Sequence, residues 1–202
     1  MEIHLSALDG YAGLPGCLQG VGFWPRALAR IIDLLVHYAA AFAAGFLFTL
    51  MVIIAAGGHV TRLTFLKLDH LTVTSFILSL VGSIAYHTIC EGWHGSSLGK
   101  LMLSLVVVQE NGSPCRFGSA LIRSVGYLVD SLFFGVVGYT AMDRTVQEQR
   151  YGDSWAHTVV CKRADAPAAS FRTGGRFVAA LFIALLVDMA LTMVALLTKL
   201  MG

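Results

Sequence analysis

One long apolar run, from Ile31 to Ala56, constrains the fold of this chain more than any other feature. Within its 26 residues only Asp33, His37 and Thr49 are not apolar. At about 1.5 Å per residue a helix of this length extends about 39 Å, which exceeds the ~30 Å hydrocarbon core of a bilayer. The run therefore predicts a transmembrane helix that tilts or begins in the headgroup layer.

The composition of the whole chain agrees with this prediction. Of its 202 residues 56% are hydrophobic and 13% are charged, whereas soluble domains carry about 25% charged residues. The formal net charge is +2, and there is no basic run of the kind that binds nucleic acid. The four cysteines lie far apart without a CxxC pair, so neither a disulfide framework nor a zinc ribbon is indicated.

Two further apolar stretches predict transmembrane helices, at residues 73–90 and 177–197. A fourth stretch, residues 118–142, is ambiguous because it is apolar yet contains Arg123 and Asp130. The predicted organisation is a glycine-rich cytoplasmic arm (1–22), a membrane domain (23–163), a linker (164–176) and an additional C-terminal transmembrane helix (177–202).

The distribution of basic residues decides between two topologies. If residues 118–142 cross the membrane, six of the 14 basic residues lie inside and eight lie outside. If they form a re-entrant or interfacial helical hairpin, 11 of the 14 are cytoplasmic, as the positive-inside rule prefers. We therefore predict three spanning helices, a cytoplasmic N-terminus and a hairpin at residues 118–142.

Two short β-branched runs flank this hairpin. They are LSLVVV at residues 103–108 and HTVVC at residues 157–161, and Asn111-Gly112 after the first run is typical of a turn. If the runs pair as strands, the segment between them must return to the side of the membrane from which it started. The predicted fold class is thus all-α transmembrane, with three spanning helices, a hairpin and a small cytoplasmic β-pair.

A charged pattern occurs twice along the chain. Arg26 and Asp33, and then Arg123 and Asp130, each form an Arg-x6-Asp unit at the start of an apolar segment. Together with the GSSLGK stretch at residues 95–100, these units resemble the RDD family of small bacterial membrane proteins. The closing QRYGDSWAHTVV stretch, from residue 149, is also similar to a signature of that family.

The resemblance covers roughly residues 20–163 and implies a membrane domain without established enzymatic chemistry. Some members of the family are linked to cation/proton exchange and others to membrane protein complexes. The chain departs from the family pattern at His157, where a small residue is usual. Residues 1–22 and the last predicted span, which contains Asp188, lie outside the family core.

The candidate site is a set of charged residues near or within the membrane. Its members are Arg26, Asp33, Arg123, Asp130, Asp153 and Asp188. A buried membrane charge costs about 2.5–3.5 kcal/mol on insertion scales, so it is usually paired or functional. The set either forms interhelical salt bridges that hold the fold together or exchanges a proton for a cation.

Within one helix Arg26 and Asp33 stand about 10.5 Å apart along the axis, too far for a direct ion pair. Each needs a partner elsewhere, and Asp153 is a candidate for Arg26 or Arg123. Asp188 has no basic neighbour on its own helix. It is a hydrogen-bonded neutral acid, a proton site or a contact to a partner subunit.

A weaker pattern suggests a metal site. It consists of His87, Cys90, Glu91 and His94 at i, i+3, i+4 and i+7. The nearby glycines indicate that the helix is ending, so interfacial polar residues are the preferred interpretation, and neither a metal nor a cofactor is predicted. Lys100 is predicted to contact lipid headgroups.

The sequence favours a non-catalytic module in the bacterial inner membrane, which assembles with other membrane subunits or with copies of itself. The alternative is a cation/proton antiporter, or a subunit of one, that uses intramembrane aspartates. An enzyme is the least supported class, because no nucleophile or acid–base arrangement stands out.

Overall fold

The computed structural model describes residues 18–55 and 73–201. Residues 1–17 of the predicted N-terminal arm lie outside the described residues. Ala56, the end of the first predicted span, also lies outside them. In chain order the elements are α1 (Phe23–Ala55), α2 (Val73–Trp93), α3 (Leu98–Met102), β1 (Leu105–Gln109), α4 (Phe117–Asp130), α5 (Val136–Met142), α6 (Tyr151–Trp155), β2 (Thr158–Lys162) and α7 (Gly174–Met201).

Three of these helices, α1, α2 and α7, are long and apolar enough to cross a membrane. They pack against one another through small residues such as Ala44 and Ala184, which are fully buried. Their outer faces carry large exposed apolar side chains, for example Phe42 at 78% exposure. The three predicted spans are thus present as helices, although α1 begins eight residues before Ile31 and α7 begins within the predicted linker.

A two-stranded antiparallel sheet lies at one end of these helices. Its register pairs Leu105 with Lys162 and Gln109 with Thr158. The backbone N–H of Val21, just before α1, also donates to the carbonyl of Val160 at 2.9 Å. The predicted pairing of the two runs as strands is confirmed, and the start of α1 is attached to the sheet.

The segment between the strands is a helical hairpin. Its two arms, Phe117–Asp130 and Leu132–Met142, are bent by 100° relative to each other. The chain leaves the sheet after Gln109, forms the hairpin and re-enters the same sheet at Thr158, which pairs with Gln109. This connection fits the hairpin that the charge distribution predicts, rather than a fourth span.

The tip of the hairpin is a strained turn of apolar residues. Phe133, Phe134 and Gly135 have positive φ angles of 51°, 59° and 88°. The two phenylalanines are exposed, Phe133 at 77%. Three consecutive left-handed residues produce the 100° bend between the two arms, at an energetic cost for the two that are not glycine.

The hairpin lies beside the beginning of α1 and not beside its middle. The ring of Phe23, the first residue of α1, is 5.7 Å from the ring of Tyr139. Arg30, two turns later, stacks on Tyr127 with 4.1 Å from its guanidinium carbon to the ring centre. Aromatic contacts therefore hold the hairpin against the first two turns of α1.

Candidate functional site: a buried network of charges

One face of α1 brings three charged residues to the place where α2, the hairpin and the sheet meet. They are Arg26, Arg30 and Asp33, which are spaced at i, i+4 and i+7 and therefore share a helix face. The charged residues that meet them come from other elements, and these are Glu91, Lys100, Arg123, Asp130, Arg150 and Asp153. Most of these side chains are almost completely buried.

Asp153 is the acceptor at the centre of this network. One of its oxygens lies 2.5 Å from Nη1 of Arg26 and the other lies 3.2 Å from Nη2 of Arg123. Burial alone would raise the pKa of Asp153, but Arg123, Arg150 and Arg26 together hold it well below its usual range. Asp153 thus pairs with both of the arginines for which the sequence made it a candidate partner.

Arg26 also fixes the backbone around it. Its Nε donates to the carbonyl of Val21 at 2.6 Å, and its Nη2 donates to the carbonyl of Glu148 at 2.9 Å. One guanidinium therefore joins the residue before α1 to the segment that leads into α6. Such a planar, multiply bonded arrangement suits arginine and not lysine.

Glu91, near the end of α2, forms ion pairs with two cations. Its Oε2 lies 3.2 Å from Nε of Arg123, and its Oε1 accepts from the ammonium of Lys100. The lipid-headgroup contact predicted for Lys100 is therefore corrected to a buried ion pair. Burial lowers the pKa of Lys100 to about 8, although the charge of Glu91 opposes this shift.

Asp33 is held by the start of the short helix α3. It accepts from the hydroxyl of Ser97 at 2.6 Å, from the backbone N–H of Gly99 at 2.8 Å and from the hydroxyl of Tyr86 at 3.1 Å. A Cβ at position 99 would overlap the carbonyl oxygen of Ala29, so only glycine brings this backbone close enough.

Asp130 makes an equivalent contact with the short helix α6. Its two oxygens accept from the backbone N–H groups of Tyr151 at 3.0 Å and Gly152 at 3.2 Å. The two Arg-x6-Asp units therefore act in the same way. Each arginine pairs with Asp153, and each aspartate accepts from backbone N–H in the first turn of a short helix, where a negative charge is stabilised.

Asp188 lies apart from this network, in the middle of α7. Its side chain is buried, and one carboxylate oxygen is 2.9 Å from Nδ1 of His37 on α1. Nε2 of the same histidine lies 3.1 Å from the hydroxyl of Ser79 on α2. Gly82 makes room for the carboxylate, because a Cβ there would overlap it. A direct contact of Asp188 with a partner subunit does not fit this burial, and the acid instead joins the three long helices.

The four residues of the possible metal pattern do not converge on one point. His87 and Glu91 contact each other at 3.5 Å, whereas the ring of His94 packs on Phe177 with 5.0 Å between ring centres. Burial lowers the pKa of His94. Within residues 18–55 and 73–201 no group of three or more potential ligands is arranged to hold a metal ion.

Sequence reasoning missed three residues that lie at the edge of the network. Arg30 and Arg150 both stack on Tyr127, at 4.1 Å and 5.5 Å from the ring centre. The spacing of Arg30 from Arg26 was a usable signal, because residues four apart share a helix face. Arg150 and Tyr127 offered no such local signal.

The comparison with known families agrees with the residues that form this network. The RDD family profile matches residues 21–157, about two thirds of the chain. The chain belongs to the RDD family. The matched region contains every charged residue of the network, so the network is part of the RDD domain, whereas Asp188 and α7 lie beyond it. No curated protein and no solved structure matches the chain significantly.

Proposed function

We propose that this RDD protein is a non-catalytic module of the bacterial cytoplasmic membrane that assembles with a larger membrane protein complex. In this proposal its N-terminus and its sheet are cytoplasmic. The observation that carries the proposal is that every buried carboxylate of the network is satisfied within the described part of the chain. Asp153, Glu91 and Asp33 accept from side chains and backbone of the same chain, which suits a network that holds helices together.

The space inside the network supports a structural role. The cavity between Arg30, His87 and Lys100 has a volume of about 30 Å³. Measured in this way one water molecule needs about 10–15 Å³, so the cavity holds about two waters and is too small for a hydrated pathway. A single chain of three long helices and a hairpin therefore has little capacity for transport through its charged centre.

The two aspartates of the RDD motif are also poorly suited to bind a cation. Asp33 and Asp130 receive hydrogen bonds from N–H and O–H donors on both of their oxygens. A bound cation would need the lone pairs of the carboxylate oxygens, which already accept hydrogen bonds. It would also need further oxygen ligands where the N–H and O–H donors now lie. This arrangement favours assembly over exchange at these two residues.

The alternative proposal, cation/proton antiport, is supported by a different pair. Asp188 and His37 are two protonatable groups in contact within the bundle of long helices. Buried ionisable residues in membranes commonly lie on proton pathways. In this alternative the pair carries the proton, and an oligomer encloses the path.

Purification of the tagged chain from its own membrane in mild detergent tests the main proposal. We expect stoichiometric foreign membrane subunits to co-purify with it. A chain that elutes alone, or only with copies of itself, contradicts the proposal.

Proton/sodium exchange in reconstituted vesicles tests the alternative. The matched variants are Asp188→Asn, Asp33→Asn and Asp130→Asn, with exposed Asp143→Asn as control. Exchange that only Asp188→Asn abolishes supports a proton site at that residue. Absence of exchange in the wild-type protein contradicts antiport, and wild-type rates in all variants contradict a carboxylate mechanism.

A further inference from the structure

The charges of the buried network do not balance. It contains five cations, Arg26, Arg30, Lys100, Arg123 and Arg150, and four carboxylates, Asp33, Glu91, Asp130 and Asp153. The difference is one positive charge. An excess charge that is partly removed from water is costly, so the place where it resides is a candidate binding site for an anion.

The excess resides at Arg30. Its guanidinium donates one hydrogen bond, to the hydroxyl of Ser83 at 3.1 Å, and otherwise stacks on Tyr127. Among the described residues no carboxylate oxygen lies within 4.0 Å of it, because the nearby acids bind other donors. Arg30 is half-buried and has several N–H groups that remain for a ligand.

Arg150 stacks on the same tyrosine and also has N–H groups without hydrogen-bond partners in the described segments. Its guanidinium makes no hydrogen bond to the described part of the chain, and its Nε is buried without one. The nearest carboxylate oxygen, on Asp153, is 3.7 Å from this Nε and already accepts from Arg26. Two guanidinium groups with free donors therefore lie on one aromatic ring.

Both arginines line one cavity of about 340 Å³ between α1 and the hairpin, within the usual size range of ligand sites. Its other walls are mostly apolar and include Ile31, Leu34 and Phe134, which are exposed on the outer surface of the helices. Asp130 also lines the cavity, but both of its carboxylate oxygens accept hydrogen bonds from the N–H groups of α6. The cavity thus has a cationic end and an apolar end.

We propose that this cavity binds one anionic phospholipid, with its phosphodiester between Arg30 and Arg150. Guanidinium groups bind phosphate through paired, charge-assisted hydrogen bonds, which supply the missing negative charge. An acyl chain then lies along Ile31 and Leu34. A free phosphate ion would use the cationic end only and would leave this apolar wall without a ligand.

The position of the cavity fits such a lipid. The hairpin lies beside the first turns of α1, and the cationic end of the cavity lies at that level. Basic pockets between transmembrane helices on the cytoplasmic side are typical sites for anionic headgroups. A bound lipid would add a contact between the hairpin and α1, next to the stacking of Arg30 on Tyr127.

Native mass spectrometry of the detergent-solubilised full chain tests the proposal. The protein is offered phosphatidylglycerol, phosphatidylcholine or inorganic phosphate at equal concentration. We expect one phosphatidylglycerol per chain, bound at least tenfold more tightly than phosphatidylcholine, and no displacement by inorganic phosphate. Equal retention of the two lipids, or binding of phosphate in place of the lipid, overturns the proposal.

The variants Arg30→Gln and Arg150→Gln locate the site. We expect the double variant to lose the preference for phosphatidylglycerol at least tenfold, whereas Arg144→Gln, which removes an exposed arginine near the hairpin, retains it. Wild-type preference in a folded double variant overturns the assignment. If the double variant does not fold, Arg150→Gln alone provides the same comparison, because its guanidinium makes no protein hydrogen bond.

Discussion

Replacement of Asp153 by asparagine is the sharpest test of the charge network. Asp153 forms ion pairs with both Arg26 and Arg123, and its side chain is 1% exposed. The substitution keeps the volume and one oxygen but removes the negative charge. Two buried guanidinium groups then face a neutral amide.

The expected cost follows from the burial of the pair. Removal of one partner from a buried ion pair costs about 3–5 kcal/mol, because it leaves an uncompensated charge. The remaining amide oxygen still accepts one hydrogen bond, so we expect about 3 kcal/mol, or roughly a hundredfold in the folding equilibrium constant. The free-energy costs of losing the ion pair with Arg26 and the ion pair with Arg123 cannot be added, because both arginines pair with the same carboxylate.

Unfolding of the purified protein in mixed detergent micelles, followed by tryptophan fluorescence, measures this loss. Asp143→Asn is the matched control, because Asp143 is exposed and we expect a change within about 0.5 kcal/mol. If Asp153→Asn unfolds within about 1 kcal/mol of the wild type, the network does not stabilise the fold in the way that we infer.

Two further predictions concern packing and pH. Gly126→Ala should destabilise the protein by about 1–3 kcal/mol in the same unfolding assay, because the added Cβ overlaps the backbone of Gly152. Gly118→Ala on the same helix is the control. Its Cβ meets open space, so this change should be neutral or stabilising. The pKa of Lys100 is lowered to about 8 in the folded protein, so the unfolded chain binds more protons between pH 8 and 10, and stability should rise with pH over this window. A Lys100→Gln variant should lose this rise, whereas Lys162→Gln at an exposed position should keep it.

The sequence was sufficient to predict the sheet and the hairpin. The sheet depends on local residue types, and the hairpin follows from the number of basic residues on each side of the membrane. The β-branched runs around Val107 and Val160 are strong local signals, and both residues are fully buried in the observed sheet. The hairpin was predicted from the number of basic residues on each side. Its exact placement beside Phe23 depends on side-chain packing, which no periodicity encodes.

The partners within the network were predictable only in part. Asp153 was a candidate because Arg26 and Arg123 need partners on other elements and the closing stretch from residue 149 contains this carboxylate. Lys100 was assigned to lipid headgroups, since nothing local shows that the chain turns back at Gly95, where φ is 93°, and returns Lys100 to Glu91. Similarly, Arg30 and Arg150 are 120 positions apart, and only the folded hairpin brings them onto one tyrosine.

The ion pair between Arg26 and Asp153 has a consequence for synthesis. The two residues are separated by 127 positions, so Arg26 leaves the ribosome long before its acceptor exists. During that interval the first helix must remain in or near the bilayer with an unneutralised guanidinium. The charged centre can close only after the second helix and the hairpin have been made. A nascent chain that stops before Asp153 therefore leaves the guanidinium of Arg26 without the carboxylate that neutralises it in the folded protein.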